Sequence, residues 1–123
     1  MINTFKRCNT LTSSPICGDN TIDITNAYSH CYNLTGQPVC GPNVVNMGWT
    51  YYSCYNLTGS PICGNKVINM NSSYNGCRNL TGFPVCGDNV VDMAGAYYEC
   101  RNLTGSPVCG SNVSLMNNTY QNC

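Results

Sequence analysis

The amino-acid sequence predicts a β-rich solenoid of five stacked 23-residue coils, with short strands and little helix. Three regularities support this prediction. Cysteines recur at a constant interval, as from Cys8 to Cys31 to Cys54, a segment related to Leu-Thr-Gly-X-Pro-Val-Cys-Gly follows them, and Met and Tyr recur at the same interval. A fixed period of about 20–50 residues is typical of repeat proteins, in which each unit buries its apolar side chains against its neighbours. The fold class follows from the period, because one unit has too few apolar residues to form a core alone.

The repeated cysteines divide a single domain, 1–123, into units. A partial unit, 1–7, precedes five full units, and residue 123 begins another. The full units are 8–30, 31–53, 54–76, 77–99 and 100–122. We call residues that occupy the same place in successive units a row, and we predict that both cysteine rows are structural ladders. The first row is Cys8, Cys31, Cys54, Cys77, Cys100 and Cys123, and the second is Cys17, Cys40, Cys63, Cys86 and Cys109.

Each unit is predicted to contain two short extended stretches. The first is the Leu-Thr-Gly-X-Pro-Val-Cys-Gly segment, whose proline lacks the N–H that a central strand needs. The second is the stretch equivalent to Asn43–Met47, with its two adjacent β-branched residues. The stretch after it, which ends in Tyr, is too short for more than one or two helical turns. If strands pair between coils, neighbouring coils lie about 4.7–4.9 Å apart.

Charge and hydropathy exclude several classes of function. Charged residues make up only 8% of the chain and the formal net charge is zero. The sequence therefore offers no basic surface to nucleic acid or to an anionic membrane. No apolar run reaches the ~20 residues of a membrane-spanning helix. Lys6 and Arg7 are not followed by an apolar stretch, so we expect no secretory signal, no membrane insertion and no nucleic-acid partner.

A family resemblance is visible in the stretch from Asn43 to Thr58, Asn-Val-Val-Asn-Met-Gly-Trp-Thr-Tyr-Tyr-Ser-Cys-Tyr-Asn-Leu-Thr. It resembles the repeat of BspA-like leucine-rich proteins, which has an Asn-Val-Thr-Asn-Met segment, then an aromatic residue, a Cys and a Leu-Thr. The likeness recurs in every unit. The resemblance implies a leucine-rich-repeat solenoid and a surface protein of a kind implicated in adhesion in bacteria, protists and some phages.

The eleven cysteines allow three interpretations. They can form two buried rows of free thiols, in which Cys packs as a small hydrophobe. They can instead form disulfides between neighbouring coils, although parallel side chains hold the Cβ atoms too far apart without distortion. An odd count leaves at least one thiol unpaired or intermolecular. Metal binding is the third, but Cys-X-X-Cys pairs are missing and one His is present, so no metal and no cofactor is expected.

No catalytic constellation is visible, and we predict that the chain is not an enzyme. No paired carboxylates recur and no Gly-rich phosphate loop is present. His30 stands beside Cys31, but adjacent side chains rarely achieve the orientation that a nucleophile pair needs. His30 is therefore predicted to be a solvent-facing variable residue.

Asn-Leu-Thr triplets satisfy the N-glycosylation sequon in four units. They begin at Asn33, Asn56, Asn79 and Asn102. Their fixed place in the units favours a structural role, in which Asn and Thr satisfy backbone groups in a turn. Glycosylation is the alternative if the chain enters a eukaryotic secretory pathway.

The positions that vary between units are where a partner would be recognised, because Tyr, Trp and Arg most often anchor interfaces. The candidate binding residues are Tyr32, Tyr55, Arg78 and Arg101 in one row, Tyr52 and Tyr98 in another, and the single residues Trp49 and Phe83. Ordinary surface variation explains the same pattern equally well. Repeated Tyr and Asn also suit carbohydrate, so the expected partner is a protein or a glycan.

These observations predict a non-enzymatic adhesion or recognition solenoid at a cell surface, outside the cell or on a virus particle. The alternative is a structural protein that assembles with itself. Neither Met1 nor Cys123 adjoins a polar capping segment of the kind that solenoids need for solubility. The chain is therefore expected either to belong to a longer array or to stack end to end into a filament.

Overall fold

The backbone is built from turns that are joined by isolated parallel bridges. The computed structural model describes residues 1–13, 17–105 and 108–123, and in these residues it contains no α-helix and no β-strand. Six of the eight bridges among these residues connect positions 23 apart, as in Asp23–Asn46, Asn46–Asn69 and Asn69–Asp92, while Ser13–Thr35 and Gly36–Leu57 are 22 and 21 apart. None of these bridges extends into a sheet within the described ranges. Their spacing agrees with the sequence period, while the unit boundaries given above stay a prediction.

Two kinds of backbone hydrogen bond alternate along residues 24–31. One set of N–H groups donates to carbonyl oxygens of the next segment at 2.8–3.0 Å: those of Ile24, Asn26, Tyr28 and His30. The N–H groups between them donate within their own turn at 2.9–3.2 Å: those of Ala27, Ser29 and Cys31. In a parallel sheet the second set of donors would bond the neighbour on the other side. Here these donors are used within their own turn, so the pairing does not extend into a sheet.

Left-handed residues explain why the same stretch is not helical. Asn26 has φ 55° and His30 has φ 62°, and their row partners Trp49 and Ser53 both have φ 60°. A right-handed helix requires negative φ, and positive φ is sterically costly for residues with a Cβ. Two such residues four positions apart exclude a helical turn between them. The prediction of a β-rich solenoid with short strands and a little helix is therefore wrong, and the chain is a small, cysteine-rich, turn-rich domain.

The core consists of apolar rows in which each side chain packs on the equivalent side chain of the next segment. Its largest members are completely buried. They are Tyr28, Tyr51, Tyr74 and Tyr97, Ile24, Met47, Met70 and Met93, Leu34, Leu57 and Leu80, and Val44, Val67 and Val90. Burial of apolar area at about 25 cal/mol per Å² is the main favourable contribution to folding. The sequence period thus specifies the core even though it does not specify strands.

Polar residues at fixed positions satisfy the turn backbone. The side-chain oxygens of Asp23, Asn46, Asn69 and Asp92 each accept a hydrogen bond from the N–H two residues later, at 2.8–3.1 Å. Such Asx turns stabilise a local reversal without a regular element. The amides of Asn33 and Asn56 donate to the carbonyl oxygens of Asn9 and Tyr32 at 2.7 and 2.8 Å. These two sequon asparagines therefore hold neighbouring segments together.

One row requires glycine because the backbones of neighbouring segments approach each other closely there. A Cβ added at Gly110 would lie 2.6 Å from the carbonyl oxygen of Gly87, and one added at Gly87 would lie 3.0 Å from that of Gly64. Only glycine permits such contact between backbones.

Among the described residues, no helix combines the length and the apolar character needed to cross a membrane.

Candidate binding surface

The four central members of the first cysteine row are buried in the core and their thiols donate hydrogen bonds: Cys31, Cys54, Cys77 and Cys100. The Sγ atom of Cys54 donates to the carbonyl oxygen of Tyr28 at 3.0 Å, and Cys77 does the same to Tyr51. Burial raises the pKa of the Cys54 thiol to about 12. A thiolate is the reactive form of cysteine, so these side chains are inert near neutral pH and serve packing.

The second cysteine row varies in burial: Cys17 and Cys86 are buried, Cys40 and Cys63 are half-buried, and Cys109 is exposed. Burial raises the pKa of the Cys63 thiol to about 11. The Sγ atom of Cys109 is exposed and lies 3.5 Å from the Tyr120 hydroxyl. All eleven cysteines are free thiols. Within the described ranges, no three His, Cys, Asp or Glu side chains are grouped closely enough to hold a metal ion.

Two exposed tyrosines and an arginine form a stacked array on the surface. The rings of Tyr32 and Tyr55 are parallel, with centroids 5.3 Å apart and planes at 11°. The guanidinium carbon of Arg78 lies 5.1 Å from the centre of the Tyr55 ring, within cation–π range. The Glu99 carboxylate accepts a hydrogen bond from Arg78 at 3.1 Å and forms an ion pair with Arg101 at 3.4 Å. These contacts join all four predicted residues of this row.

A second group of rings continues the array through His30. The His30 ring lies 5.9 Å from Tyr32 and 5.3 Å from Tyr52, and Trp49 lies 4.9 Å from Tyr52. We call the joined set the aromatic ridge: Trp49, Tyr52, His30, Tyr32, Tyr55 and Arg78. Sequence reasoning missed His30 because its row otherwise holds Ser53, Gly76, Glu99 and Asn122. The sequence offered one signal for His30, which is that it lies between the row that contains Tyr52 and the row that contains Tyr32.

The surroundings of His30 favour the neutral form of its ring. Burial lowers the pKa of the imidazole, and the nearby cations Arg7 and Lys6 lower it further. The Ser29 hydroxyl lies 2.8 Å from its Nδ1 atom. The ring packs against Tyr32 and Tyr52. Positive charge therefore lies near both ends of the ridge, from Lys6 and Arg7 beside His30 and from Arg78 at the other end.

The remaining two predicted residues do not join the ridge. Phe83 is 58% exposed, and its ring occupies the space where a Cβ at Gly105 would lie. Tyr98 lines a separate groove with Asn71 and Asn75. The structure thus brings six of the eight candidate residues into one contact network and places two elsewhere.

Comparison with known proteins gives one family match. The model of a Kazal-type serine protease inhibitor domain matches residues 96–123. This part is less than a quarter of the chain, so the match does not establish family membership. No curated protein and no solved structure matched the chain.

The resemblance to BspA-like leucine-rich repeats is wrong. The family comparison points to a Kazal-type inhibitor domain and gives no support to a leucine-rich-repeat family. The matched part contains Cys100, Cys109, Tyr120 and Cys123, and the same Cys and Tyr spacing recurs in the other units. The Asn, Leu and Thr positions that suggested the resemblance serve turns and core packing, which a turn-rich fold also requires. A likeness to protease inhibitors agrees with a chain that is not an enzyme and that has protein partners.

Proposed function

We propose that this chain is a non-enzymatic binding protein that recognises a protein partner through the aromatic ridge. The observation that supports the proposal is the unbroken contact network from Trp49 to Arg78 on an exposed surface. Trp, Tyr and Arg are the residues enriched at energetic hot spots of protein interfaces. In a soluble monomer such a patch marks an interaction site.

The arrangement of the rings favours protein over carbohydrate at this surface. Tyr32 covers one face of the Tyr55 ring and Arg78 covers the other. A sugar stacks on a free ring face, and Tyr55 offers only its edge and its hydroxyl. Edges and hydroxyls fit the mixed apolar and polar side chains of a protein surface.

Preorganisation adds to the binding energy that this surface can supply. Tyr32 and Tyr55 are 38% and 37% exposed, and their mutual stacking fixes their rotamers before a partner arrives. Immobilising a flexible side chain on binding costs about 0.5–1.5 kcal/mol. The Glu99 carboxylate likewise restrains Arg78 and Arg101.

The test is binding of the purified chain to an array of purified extracellular and cell-surface proteins, followed by biolayer interferometry on each hit. We expect Tyr55→Ala to weaken binding by about tenfold or more, since truncating a hot-spot aromatic costs about 2 kcal/mol. Tyr55→Phe keeps the ring and removes the hydroxyl, so it measures the contribution of the hydroxyl to binding. Ile68→Ala is the matched control, because Ile68 is 47% exposed and lies outside the ridge. The absence of any bound protein, or equal losses for Tyr55→Ala and Ile68→Ala, contradicts the proposal.

A second candidate function is inhibition of a serine protease. The family match over residues 96–123 favours it, and protease inhibitors also bind protein surfaces of standard interface size. Residual activity of trypsin, chymotrypsin, elastase and subtilisin is measured with a hundredfold excess of the chain. Full activity of all four enzymes would rule out this candidate for those specificities. An extracellular or surface location belongs to both candidates, and the inhibitor match agrees with it.

A further inference from the structure

A groove on the turn face differs from the aromatic ridge in shape and chemistry. Its walls carry the amides of Asn71, Asn75, Asn117 and Asn118 and the ring of Tyr98. Its volume is about 440 Å³, within the ~300–1,000 Å³ range of ligand sites in proteins. Tyr98 was expected to contact a partner, and the structure places it here rather than on the ridge.

The groove exists because one row changes from a large side chain to small ones. The row runs from Trp49 to Ser72 to Gly95, and all three have left-handed φ, at 60°, 51° and 63°. The Trp49 N–H donates to the Asn71 carbonyl oxygen at 2.8 Å, so Trp49 stands at the segment beside the groove. A Cβ on Gly95 would lie 3.2 Å from the Ser72 Oγ atom. Small residues at 72 and 95 therefore leave open the space that an indole fills one segment earlier.

The described residues that line the groove are uncharged. The nearest carboxylate, Asp92, accepts from the Asn71 amide at 3.3 Å and from the Ala94 N–H at 3.0 Å. Primary amides both donate and accept hydrogen bonds, as sugar hydroxyls do. An anionic ligand would call for Arg or Lys, which this wall does not supply.

The Tyr98 ring offers a face for stacking that Tyr55, at the centre of the stacked array, lacks. Within the described part of the chain, no other ring stacks on Tyr98, whereas Tyr55 is covered on both faces. A ring beside a row of amides is the arrangement that binds the apolar face of a sugar while its hydroxyls are hydrogen-bonded. We propose that this groove binds a neutral oligosaccharide, with Tyr98 as the stacking platform and Asn71, Asn75 and Asn117 as hydrogen-bonding partners. The proposal is independent of the ridge and of its protein partner.

The experiment is isothermal titration of the full chain with cellohexaose, hexa-N-acetylchitohexaose and mannohexaose, alongside a sulfated heparin hexasaccharide. We expect at least one neutral hexasaccharide to bind. Tyr98→Ala should weaken that binding about tenfold or more, and Tyr98→Phe should stay within about threefold because the ring remains. Ser72→Trp should abolish binding by filling the groove, and the backbone at this row already accommodates Trp49.

Phe83→Ala is the matched control, since it removes a 58% exposed aromatic ring that lies outside both the groove and the ridge, and it should leave sugar affinity unchanged. Near-ultraviolet circular dichroism checks that each variant is folded, and Tyr98→Ala keeps the test decisive if Ser72→Trp does not fold. The proposal is overturned if none of the neutral sugars binds, if only the sulfated sugar binds, or if a folded Ser72→Trp or Tyr98→Ala variant binds like the parent chain.

Discussion

The molecule contains two stacks of aromatic rings that share one spacing and differ in burial. The inner stack runs from Phe5 through four buried tyrosines to Tyr120, with centroids 5.2–5.7 Å apart and planes within 8°. The outer stack is Tyr32 on Tyr55, at 5.3 Å and 11°. Both rows advance by one sequence period, and backbone bonds fix the distance between segments. Ring geometry therefore does not separate structural tyrosines from binding tyrosines, whereas burial does.

The largest expected effect comes from removing a ring of the inner stack. Tyr74 is fully buried and its hydroxyl donates to the Ile62 carbonyl oxygen at 2.5 Å. Tyr74→Ala leaves a large cavity and should lower the free energy of unfolding by about 3–5 kcal/mol. Urea unfolding followed by circular dichroism measures it. A loss below about 1 kcal/mol would show that the inner stack is not the core that its burial indicates.

The second-largest effect should come from alkaline pH, which should destabilise the buried inner region. Burial raises the pKa of Cys54 to about 12 and that of Cys63 to about 11, from an ordinary value of 9.0. Above pH 9 the unfolded chain loses these protons while the folded chain keeps them. The stabilising effect of the neutral thiols is thus complete below pH 9 and is lost as pH rises toward 11–12. We expect the urea midpoint to fall steadily as the pH rises from 9 to 10.5, and a flat profile over that range would contradict this.

Removing two different hydroxyl groups within the inner stack should change the stability of the fold in opposite directions. The Tyr74 hydroxyl has a partner, while the buried Tyr97 hydroxyl has none among the described residues. Tyr74→Phe should therefore cost about 1 kcal/mol, and Tyr97→Phe should stabilise the fold by about 1 kcal/mol because it removes an unsatisfied polar group. Paired thermal and urea unfolding of the two variants decides the signs. Equal destabilisation by both would mean that Tyr97 is satisfied in solution.

The smallest effect on stability should come from the outer stack. Tyr55 is 37% exposed and lies outside the buried core. Tyr55→Ala should change the free energy of unfolding by no more than about 0.5–1 kcal/mol, the value of a surface aromatic pair. The same urea titration measures it, with Tyr74→Ala as the reference. A loss comparable to that of Tyr74→Ala would make the ridge structural and weaken its proposed binding role.

The composition of the core could be predicted from the sequence, while its secondary structure could not. Rows of Leu, Met and Tyr are apolar in nearly every unit, so their burial follows from the period alone. The conformation of the turn depends on the sign of φ at rows that hold residues as different as Asn26, Trp49 and Ser72. Asn favours a left-handed conformation only weakly and Trp and Ser do not favour it at all, so the prediction of short strands failed.

Only part of the candidate binding surface could be predicted from the sequence. The row of Tyr32, Tyr55, Arg78 and Arg101 is visible in the sequence because its members are one period apart. The connection to Trp49 and Tyr52 through His30 lies across rows, so it depends on how the turn folds. Tyr98 shares the row of Tyr52 but faces the groove, because Gly95 and Ser72 stand where Trp49 stands beside Tyr52.

The sequence by itself determined the 23-residue register and the identity of the buried rows, because stacking of equivalent segments forces equivalent apolar residues into contact. Only the tertiary structure decided that the segments are turns rather than strands, which cysteines are inert, and which surface residues meet. These properties depend on the sign of φ, on the depth of burial and on contacts between rows. None of the three can be deduced from the sequence of one repeat.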